Sequence, residues 1–158
     1  MINMETREGK IEVYSHNNGR IGVLVEINVE TEFAGRSPVF TDFVHEIALH
    51  VAASSPLYVS DADIPAEMLE ALAAETTARA LKAGKPAKMV EKIVAGALEK
   101  YKQRNVLLRQ AYIRDEEITI AQLLNQKIAQ IGETIVIRRF IRWEINPDDG
   151  NNPMGEGS

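Results

Sequence analysis

The sequence predicts an α+β fold: a small, mostly antiparallel sheet of three strands packed by helices. Two strand-like stretches near the start, 10–14 and 20–28, are spaced as in a β-hairpin. Several helical patterns follow, and only 134–145 then has the length and composition of another long strand. Because strands and helices do not alternate one by one, repeated βαβ units are excluded. The last strand is therefore expected to pair with the hairpin.

The turn of the predicted hairpin contains Asn17, Asn18 and Gly19, residue types that tolerate positive φ values. In the first strand apolar and polar side chains alternate, which is typical of a strand with one covered face. The second strand is a nearly continuous run of β-branched residues, which is typical of a central strand.

The first long helix is predicted to begin with Ser37 as its N-cap and Pro38 as its first residue. Five of its apolar residues recur at helical spacing and define one buried stripe. They are Phe40, Phe43, Val44, Ile47 and Val51.

Two further helical patterns, 66–82 and 87–102, are separated by Gly84 and Pro86. Glycine just past one helix and proline at the head of the next are typical stop and restart signals. The short connection between them predicts an antiparallel helical hairpin.

The stretch 103–117 has no clear period and is predicted to be irregular or to hold short elements. Thr119 is expected to cap a final helix that ends at Gly132. In the strand that follows, the pattern slips around Arg138, which indicates a β-bulge or a strand with two different environments.

The chain has 158 residues and is 45% hydrophobic, which fits a single domain. We expect that domain to cover 10–146, with a disordered or flexible lead at 1–9. The turn-rich tail, 147–158, lacks a core-forming pattern and is expected to be disordered.

The composition disfavours several classes of function. The chain contains no cysteine, so it has no disulfide framework and no thiolate ligand or nucleophile. A formal net charge of −5 disfavours direct binding to nucleic acid, and no apolar run is long enough to span a membrane. We predict a soluble, cytoplasmic protein.

Sequence motifs for catalysis are also missing. His45 and His50 are at i and i+5, whereas the zinc-protease helix needs histidines at i and i+4, so both are interpreted as partly exposed helix residues. No glycine loop for phosphate and no nucleophile motif is present. We predict neither a metal nor a cofactor, and no enzymatic activity.

Arginines and aromatic residues are interleaved in the last strand: Arg138, Arg139 and Arg142 lie beside Phe140 and Trp143. This pattern fits a nucleic-acid surface, or arginines that are salt-bridged or form a protein interface. The acidic net charge favours the second interpretation.

An acidic residue and an aromatic residue, Glu32 and Phe33, lie next to each other in the predicted loop 29–37. From the pattern alone, Phe33 either folds back on the next helix as a hydrophobic staple or contacts a partner. This pair is the best candidate for action on another molecule.

The residues from Arg20 to Arg36 resemble the bacterial elongation factor Ts family, in which a similar strand runs into an Asn-Cys-Glu-Thr-Asp-Phe-Val-Ala-Arg type segment. The other matching segments keep the family's order, and the resemblance covers roughly 8–146. They are 14–16, 50–59, 84–96 and 137–144.

The resemblance implies a guanine-nucleotide exchange factor for the GTPase elongation factor Tu, without catalytic chemistry of its own. Glu32 and Phe33 match the acidic and aromatic positions that the family presses against the GTPase, and Thr31 and Arg36 belong to the same segment. His16 matches a family position near the partner's nucleotide-binding domain. We expect these five residues to contact the partner.

The sequence departs from the family pattern at several positions. Glu32 replaces an aspartate, Ala34 a valine, and Val29 stands at the cysteine position. We expect the family's N-terminal three-helix module, which resembles a ubiquitin-associated domain, to be absent. We therefore expect a core and dimerisation domain with a single repeat, which implies a homodimer. The alternative is a binding and dimerisation module of the same fold that lacks exchange activity.

The family's spelling, Thr-Asp-Phe, occurs at residues 41–43, which match it more closely than Thr-Glu-Phe at residues 31–33 does. Phe43 belongs to the predicted buried stripe, so its ring is expected to lie in the core. The order of residues after the strand favours 32–33 as the counterpart.

Overall fold

The computed structural model of the protein describes residues 5–146. The predicted tail, 147–158, and the first part of the predicted lead, 1–4, lie outside the described residues. The α+β class is confirmed. In chain order the helices and strands are β1 (Glu8–His16), β2 (Ile21–Val29), α1 (Glu32–Gly35), α2 (Pro38–Ser54), α3 (Ala66–Lys82), α4 (Ala87–Asn105), β3 (Ala111–Tyr112), β4 (Asp115–Thr119), α5 (Ile120–Ile131) and β5 (Ile135–Glu144).

The chain forms two compact units within the predicted domain 10–146, a division that the sequence did not indicate. Among the described residues, the first unit, here called the sheet unit, comprises 5–55 together with 124–146. The second, the helical unit, comprises Pro56–Leu123.

In the sheet unit, the three-stranded antiparallel sheet has the order β1-β2-β5, with β2 in the centre as predicted. The turn between β1 and β2 has positive φ values at Asn17, Asn18 and Gly19, which confirms the prediction. Strand β1 begins at Glu8, so it includes two residues of the predicted lead.

The predicted irregularity near Arg138 is a β-bulge. Ile137 pairs with Ile27 of β2, and Arg139 pairs with Glu26, so Arg138 is an extra residue on β5. A bulge of this kind adds one unpaired residue and increases the local twist of the strand.

Helix α2 covers one face of the sheet. It begins as predicted, because the Ser37 hydroxyl accepts a hydrogen bond from the amide of Phe40 at 3.3 Å and Pro38 is the first helical residue. The predicted stripe is buried and packs on a row of β2 side chains that includes Val25 and Ile27.

The C-terminal end of α2 is fixed to the sheet by Arg142 of β5. Its guanidinium Nε and Nη2 donate hydrogen bonds to the carbonyl oxygen of Ala52 at 3.1 and 3.0 Å. Carbonyls in the last turn of a helix lack intrahelical partners, and the helix dipole favours a cation there.

In the helical unit, α3 and α4 pack against each other as the predicted hairpin. Gly84, at φ 78°, ends α3 in the left-handed conformation. The amides of Gly84 and Lys85 donate to the carbonyls of Leu81 and Ala80, which is the Schellman arrangement. Helix α4 continues to Asn105, three residues beyond the predicted end at 102.

The stretch 103–117 holds short elements, which was one of the two predicted alternatives. It contains a single turn of 3₁₀ helix and the two-stranded antiparallel sheet of β3 and β4. These strands have little sequence signal, because β3 has two residues and β4 is mostly polar. Thr119 caps α5 as predicted, since its hydroxyl accepts from the amide of Gln122 and its own amide donates to the Gln122 side chain.

Arg109 links three parts of the helical unit. Its guanidinium forms two hydrogen bonds with the carboxylate of Asp61, at 2.8 and 2.6 Å, and a third with Glu99 at 2.6 Å. The hydrogen bonds from Arg109 lower the pKa of Asp61, and they outweigh partial burial, which acts in the opposite direction.

Across residues 5–146, none of the helices combines the length and the apolar character needed to cross a membrane.

Candidate functional site

The connection between β2 and α2 was predicted to be a loop. The structure shows instead that Glu32–Gly35 form the single helical turn α1. The Thr31 hydroxyl caps this turn by accepting a hydrogen bond from the amide of Ala34 at 3.2 Å. Ala34 is buried and faces the protein interior. A capped turn with one buried residue gives the neighbouring side chains a defined direction.

Phe33 projects from this turn into solvent, with 83% of its surface exposed. The alternative in which Phe33 folds back as a staple is therefore wrong for this structure. Phe43, the aromatic residue of the Thr-Asp-Phe motif at 41–43, is only 1% exposed and belongs to the core, as predicted. Of the two aromatic residues, Phe33 is the one that a partner can reach.

Glu32 and Arg36 flank the exposed ring and pair with each other across one helical turn. The Arg36 guanidinium lies 3.3 Å from the Glu32 carboxylate, and both side chains are mostly exposed. Exposed pairs of this kind stabilise a protein by about 1 kcal/mol at most. Both groups can therefore exchange this contact for one with a partner at small cost.

Two crossed contacts join the segment after β2 to the segment before β5. The Glu133 carboxylate accepts hydrogen bonds from the amide and the hydroxyl of Thr31, at 3.1 and 2.7 Å. The Glu30 carboxylate accepts from the amide of Thr134. The base of α1 is thus held by a residue that lies far away in the sequence.

His16 lies at the end of β1 that is distant from α1. It pairs with Ile21, at the start of β2, whereas α1 follows the end of β2 at Val29. Eight residue steps along a strand span roughly 26 Å, so the structure does not bring His16 together with Phe33. The His16 ring is exposed, and its Nδ1 lies 2.9 Å from the Tyr14 hydroxyl.

The two helix histidines differ in exposure. His45 is about half exposed, and its Nδ1 lies 3.0 Å from the Glu12 carboxylate of β1. His50 is fully buried, which corrects the expectation that both are partly exposed. The residue faces the core because it lies one turn after Ile47 on the buried side of α2.

Glu12 binds two cationic or hydrogen-bonding neighbours, Lys10 and His45. Partial burial alone would raise the pKa of Glu12, but the hydrogen bonds from these two side chains lower it below its usual value. Within residues 5–146, no three histidine or carboxylate side chains are grouped as a metal site would require.

The arginines of β5 form contacts within the protein. Arg139 pairs with Glu26 at 2.8 Å, and Arg142 pairs with Glu144 at 2.9 Å. Arg138 donates to the side-chain oxygen of Asn28 at 2.8 Å. These contacts confirm the interpretation of the arginines as salt-bridged strand residues.

The sheet face opposite α2, here called the exposed sheet face, carries large apolar side chains from all three strands. The exposed fractions are 56% for Ile11, 71% for Val13, 44% for Leu24, 50% for Ile141 and 70% for Trp143. Exposed apolar residues scattered singly are ordinary, but a contiguous set marks an interaction surface. The sequence did not identify this face as exposed, because apolar residues that alternate along a strand usually lie on its covered side.

Comparison with known proteins connects this geometry to one family. The model of the family described as Elongation factor TS matches residues 1–147. The chain belongs to the elongation factor Ts family. Similar relatives include Elongation factor Ts of Moorella thermoacetica, 50% identical over 138 residues, which cover 87% of this chain and 68% of the relative.

Two further elongation factor Ts relatives give the same result. The one from Caldanaerobacter subterraneus subsp. tengcongensis is 51% identical over 137 residues, 87% of this chain and 68% of the relative. The one from Acetivibrio thermocellus is 53% identical over 137 residues, 87% of this chain and 64% of the relative. The chain thus spans about two thirds of the length of these relatives.

In this member of the elongation factor Ts family, the predicted residues Thr31, Glu32, Phe33 and Arg36 lie together on and around α1, whereas His16 does not. Sequence reasoning missed Glu133. Its position just after the glycine that ends α5 gave no sign that its carboxylate binds Thr31.

Proposed function

We propose that this chain acts in translation elongation as a guanine-nucleotide exchange factor that promotes release of GDP from elongation factor Tu in the cytoplasm. Membership of the elongation factor Ts family supports the choice of partner. The structural observation that carries the proposal is the placement of Phe33, which is 83% exposed on a capped helical turn.

The proposed action is a wedge. Phe33 enters an apolar pocket of the GTPase's nucleotide-binding domain, and the Glu32 carboxylate accompanies it toward the magnesium and phosphate groups that hold GDP. The backbone that carries the ring is already ordered in a capped turn, which reduces the conformational freedom lost on binding, and buried aromatic side chains dominate many interfaces. The chain needs no nucleophile or metal of its own for this action.

The thermodynamic requirement on such a factor is differential binding. A partner releases GDP only if it binds the nucleotide-free GTPase better than the GDP-bound form. By linkage, GDP must then weaken the binding of the factor by the same ratio. A test of the proposal should therefore measure the affinity of this chain for the GDP-bound and for the nucleotide-free GTPase.

We further propose that the protein is a homodimer that pairs through the exposed sheet face. That face is apolar around Leu24, Ile141 and Trp143, and it also carries the oppositely charged pair Glu26 and Arg139. In a two-fold interface the same surface must complement itself. Because the exposed sheet face carries both Glu26 and Arg139, each of these charges can lie against the opposite charge of a second copy.

The exchange proposal is tested with elongation factor Tu carrying fluorescent GDP, which is chased with unlabelled GDP in the presence of the full 158-residue chain. The parent chain is expected to accelerate the fluorescence loss. Phe33→Ala is expected to reduce this acceleration by about tenfold or more, as truncation of a dominant interface residue does. Leu81→Ala is a matched control, since Leu81 is 57% exposed on α3.

The outcomes separate the candidates. If Phe33→Ala accelerates release as well as the parent does, the wedge assignment is wrong. If the chain binds elongation factor Tu in calorimetry but does not change the rate of GDP release, it is the exchange-deficient binding module instead. The replacement of the family's aspartate by Glu32 is the observation that favours this second candidate.

A further inference from the structure

Thr31 holds the turn that carries Phe33, and Glu133 holds Thr31. The Thr31 hydroxyl donates to one Glu133 oxygen at 2.7 Å, and the Thr31 amide donates to the other at 3.1 Å. The same hydroxyl accepts from the amide of Ala34 at 3.2 Å. One carboxylate therefore orients both the backbone and the side chain of the N-cap residue.

A helix of a single turn depends on such support. Forming the first turn fixes several backbone angles for one hydrogen bond, so short helices are marginal without outside contacts. In α1, which comprises Glu32–Gly35, the outside contacts include the Thr31 cap, the buried side chain of Ala34 and the Ser37 hydroxyl, which donates to the Ala34 carbonyl at 2.8 Å. Because Phe33 lies between Thr31 and Ala34, the direction of its ring depends on both.

The position of Glu133 follows from the register of the sheet. The antiparallel pairing of β2 with β5 ends at Val29 and Ile135. If the same register is continued past the ladder, residue 30 meets residue 134 and residue 31 meets residue 133. Both of these residue pairs are in contact. The acceptors are the carboxylate side chains of Glu133 and Glu30, where a continued ladder would use backbone carbonyls.

We propose that Glu133 is a positioning residue that fixes the direction of Phe33 by holding Thr31 in its capping geometry. This inference rests on the proposed exchange function of Phe33. Glu133 itself need not touch the partner, since its two carboxylate oxygens are already bound within the protein. Loss of the carboxylate frees the Thr31 hydroxyl to rotate, and α1 then loses its N-cap during part of the time.

The first test measures stimulated GDP release from elongation factor Tu with single and double variants of the full chain. Glu133→Ala is expected to slow release by about three- to tenfold, the loss typical of one intramolecular hydrogen bond. Glu133→Gln keeps one acceptor oxygen and should give an intermediate rate. In a Phe33→Ala background, Glu133→Ala should have no further effect, since the ring that it positions is absent.

The matched control is Glu30→Ala, which removes the neighbouring crossed contact to Thr134 but leaves the cap on α1 intact. Its rate is expected to stay within about twofold of the parent. If Glu30→Ala slows release as much as Glu133→Ala does, Glu133 acts as a general brace of the two segments. The same conclusion follows if Glu133→Ala slows release equally in the Phe33→Ala background.

A second measurement does not depend on exchange activity. Amide hydrogen exchange by NMR should be faster in Glu133→Ala at Ala34 and Gly35, by a factor similar to the loss in release rate. Protection in β2 and β5 should be unchanged. If the parent chain does not accelerate GDP release, the proposed function fails, and this measurement still decides whether Glu133 supports α1. Unchanged exchange at Ala34 and Gly35 would overturn the inference.

Discussion

Phe33 and Phe43 lie on consecutive helices and have opposite environments, since 83% of the first side chain is exposed and 1% of the second. Both follow an acidic residue in similar short motifs. Phe33 is on the single turn α1, in which Ala34 is the one buried residue, whereas Phe43 is on the buried stripe of α2. The difference in environment assigns the two rings to different roles: one is free to contact a partner, and the other supports the fold.

The first prediction concerns stability. Phe43→Ala should lower the free energy of unfolding by about 3–5 kcal/mol, because it removes buried apolar surface and leaves a cavity. Phe33→Ala should change it by less than about 0.5 kcal/mol, since the ring makes little contact with the protein. Urea denaturation followed by circular dichroism measures both values.

If Phe33→Ala destabilises the chain as much as Phe43→Ala does, the exposed placement of Phe33 is incorrect in solution. A loss of exchange activity in Phe33→Ala would then reflect unfolding and could not be assigned to a lost wedge.

The second prediction concerns the proposed homodimer. Trp143, the only tryptophan of the chain, is 70% exposed on the exposed sheet face. Trp143→Glu would place a carboxylate without a partner inside the interface, which costs several kcal/mol, so the variant should be a monomer. Sedimentation velocity over a range of concentrations is expected to show a dimer for the parent chain and a monomer for this variant.

The control for that experiment is Ile113→Glu, since Ile113 is 40% exposed in the helical unit. It should remain dimeric. A parent chain that is monomeric at every concentration would contradict the dimer, and a dimeric Trp143→Glu would move the interface to another surface. The tryptophan emission of the parent should also shift to shorter wavelength as the concentration rises.

The third prediction concerns pH. Hydrogen bonds from Arg109 lower the pKa of Asp61, so the ionised carboxylate stabilises the folded state. This contribution is fully present above the unfolded pKa of about 3.9 and is lost as the pH falls through the lower folded pKa. Because the pair is partly exposed, it should amount to about 1 kcal/mol or less.

Urea denaturation of the parent chain and of Asp61→Asn tests this expectation. The parent should be more stable at pH 7, and the difference between the two should shrink as the pH falls below about 4. The comparison is needed because the pKa of Glu26 is also lowered, first by Asn28 and then by Arg139. A difference that stays constant down to pH 2 would show that Asp61 does not stabilise the fold through its charge.

Local features were predictable because their signals lie within a few residues. The turn at Asn17–Gly19, the Ser37 cap and the end of α3 at Gly84 all depend on backbone preferences of the residues themselves. The three-stranded sheet followed from the number and order of the strands. The exposed position of Phe33 was one of two alternatives, and the sequence alone did not decide between them.

Other features depend on residues that are distant in sequence. The contact of Glu133 with Thr31 exists only once β5 has paired with β2, so no local pattern could indicate it. Strands β3 and β4 were missed because short polar strands have no hydrophobic alternation. His50 is buried because it lies on the inward side of α2. The predicted apolar stripe did not include this residue.

The extra residue at Arg138 changes the face of the sheet on which the odd-numbered residues of β5 lie. Before it, the odd-numbered side chains Ile135 and Ile137 are buried, whereas after it Ile141 and Trp143, also odd-numbered, are exposed. In an uninterrupted strand, side chains keep the same face at every second residue. Removal of this single residue would turn Ile141 and Trp143 toward α2 and would turn Arg142 away from it. The apolar character of the outer surface is therefore set by the length of the strand as much as by its composition.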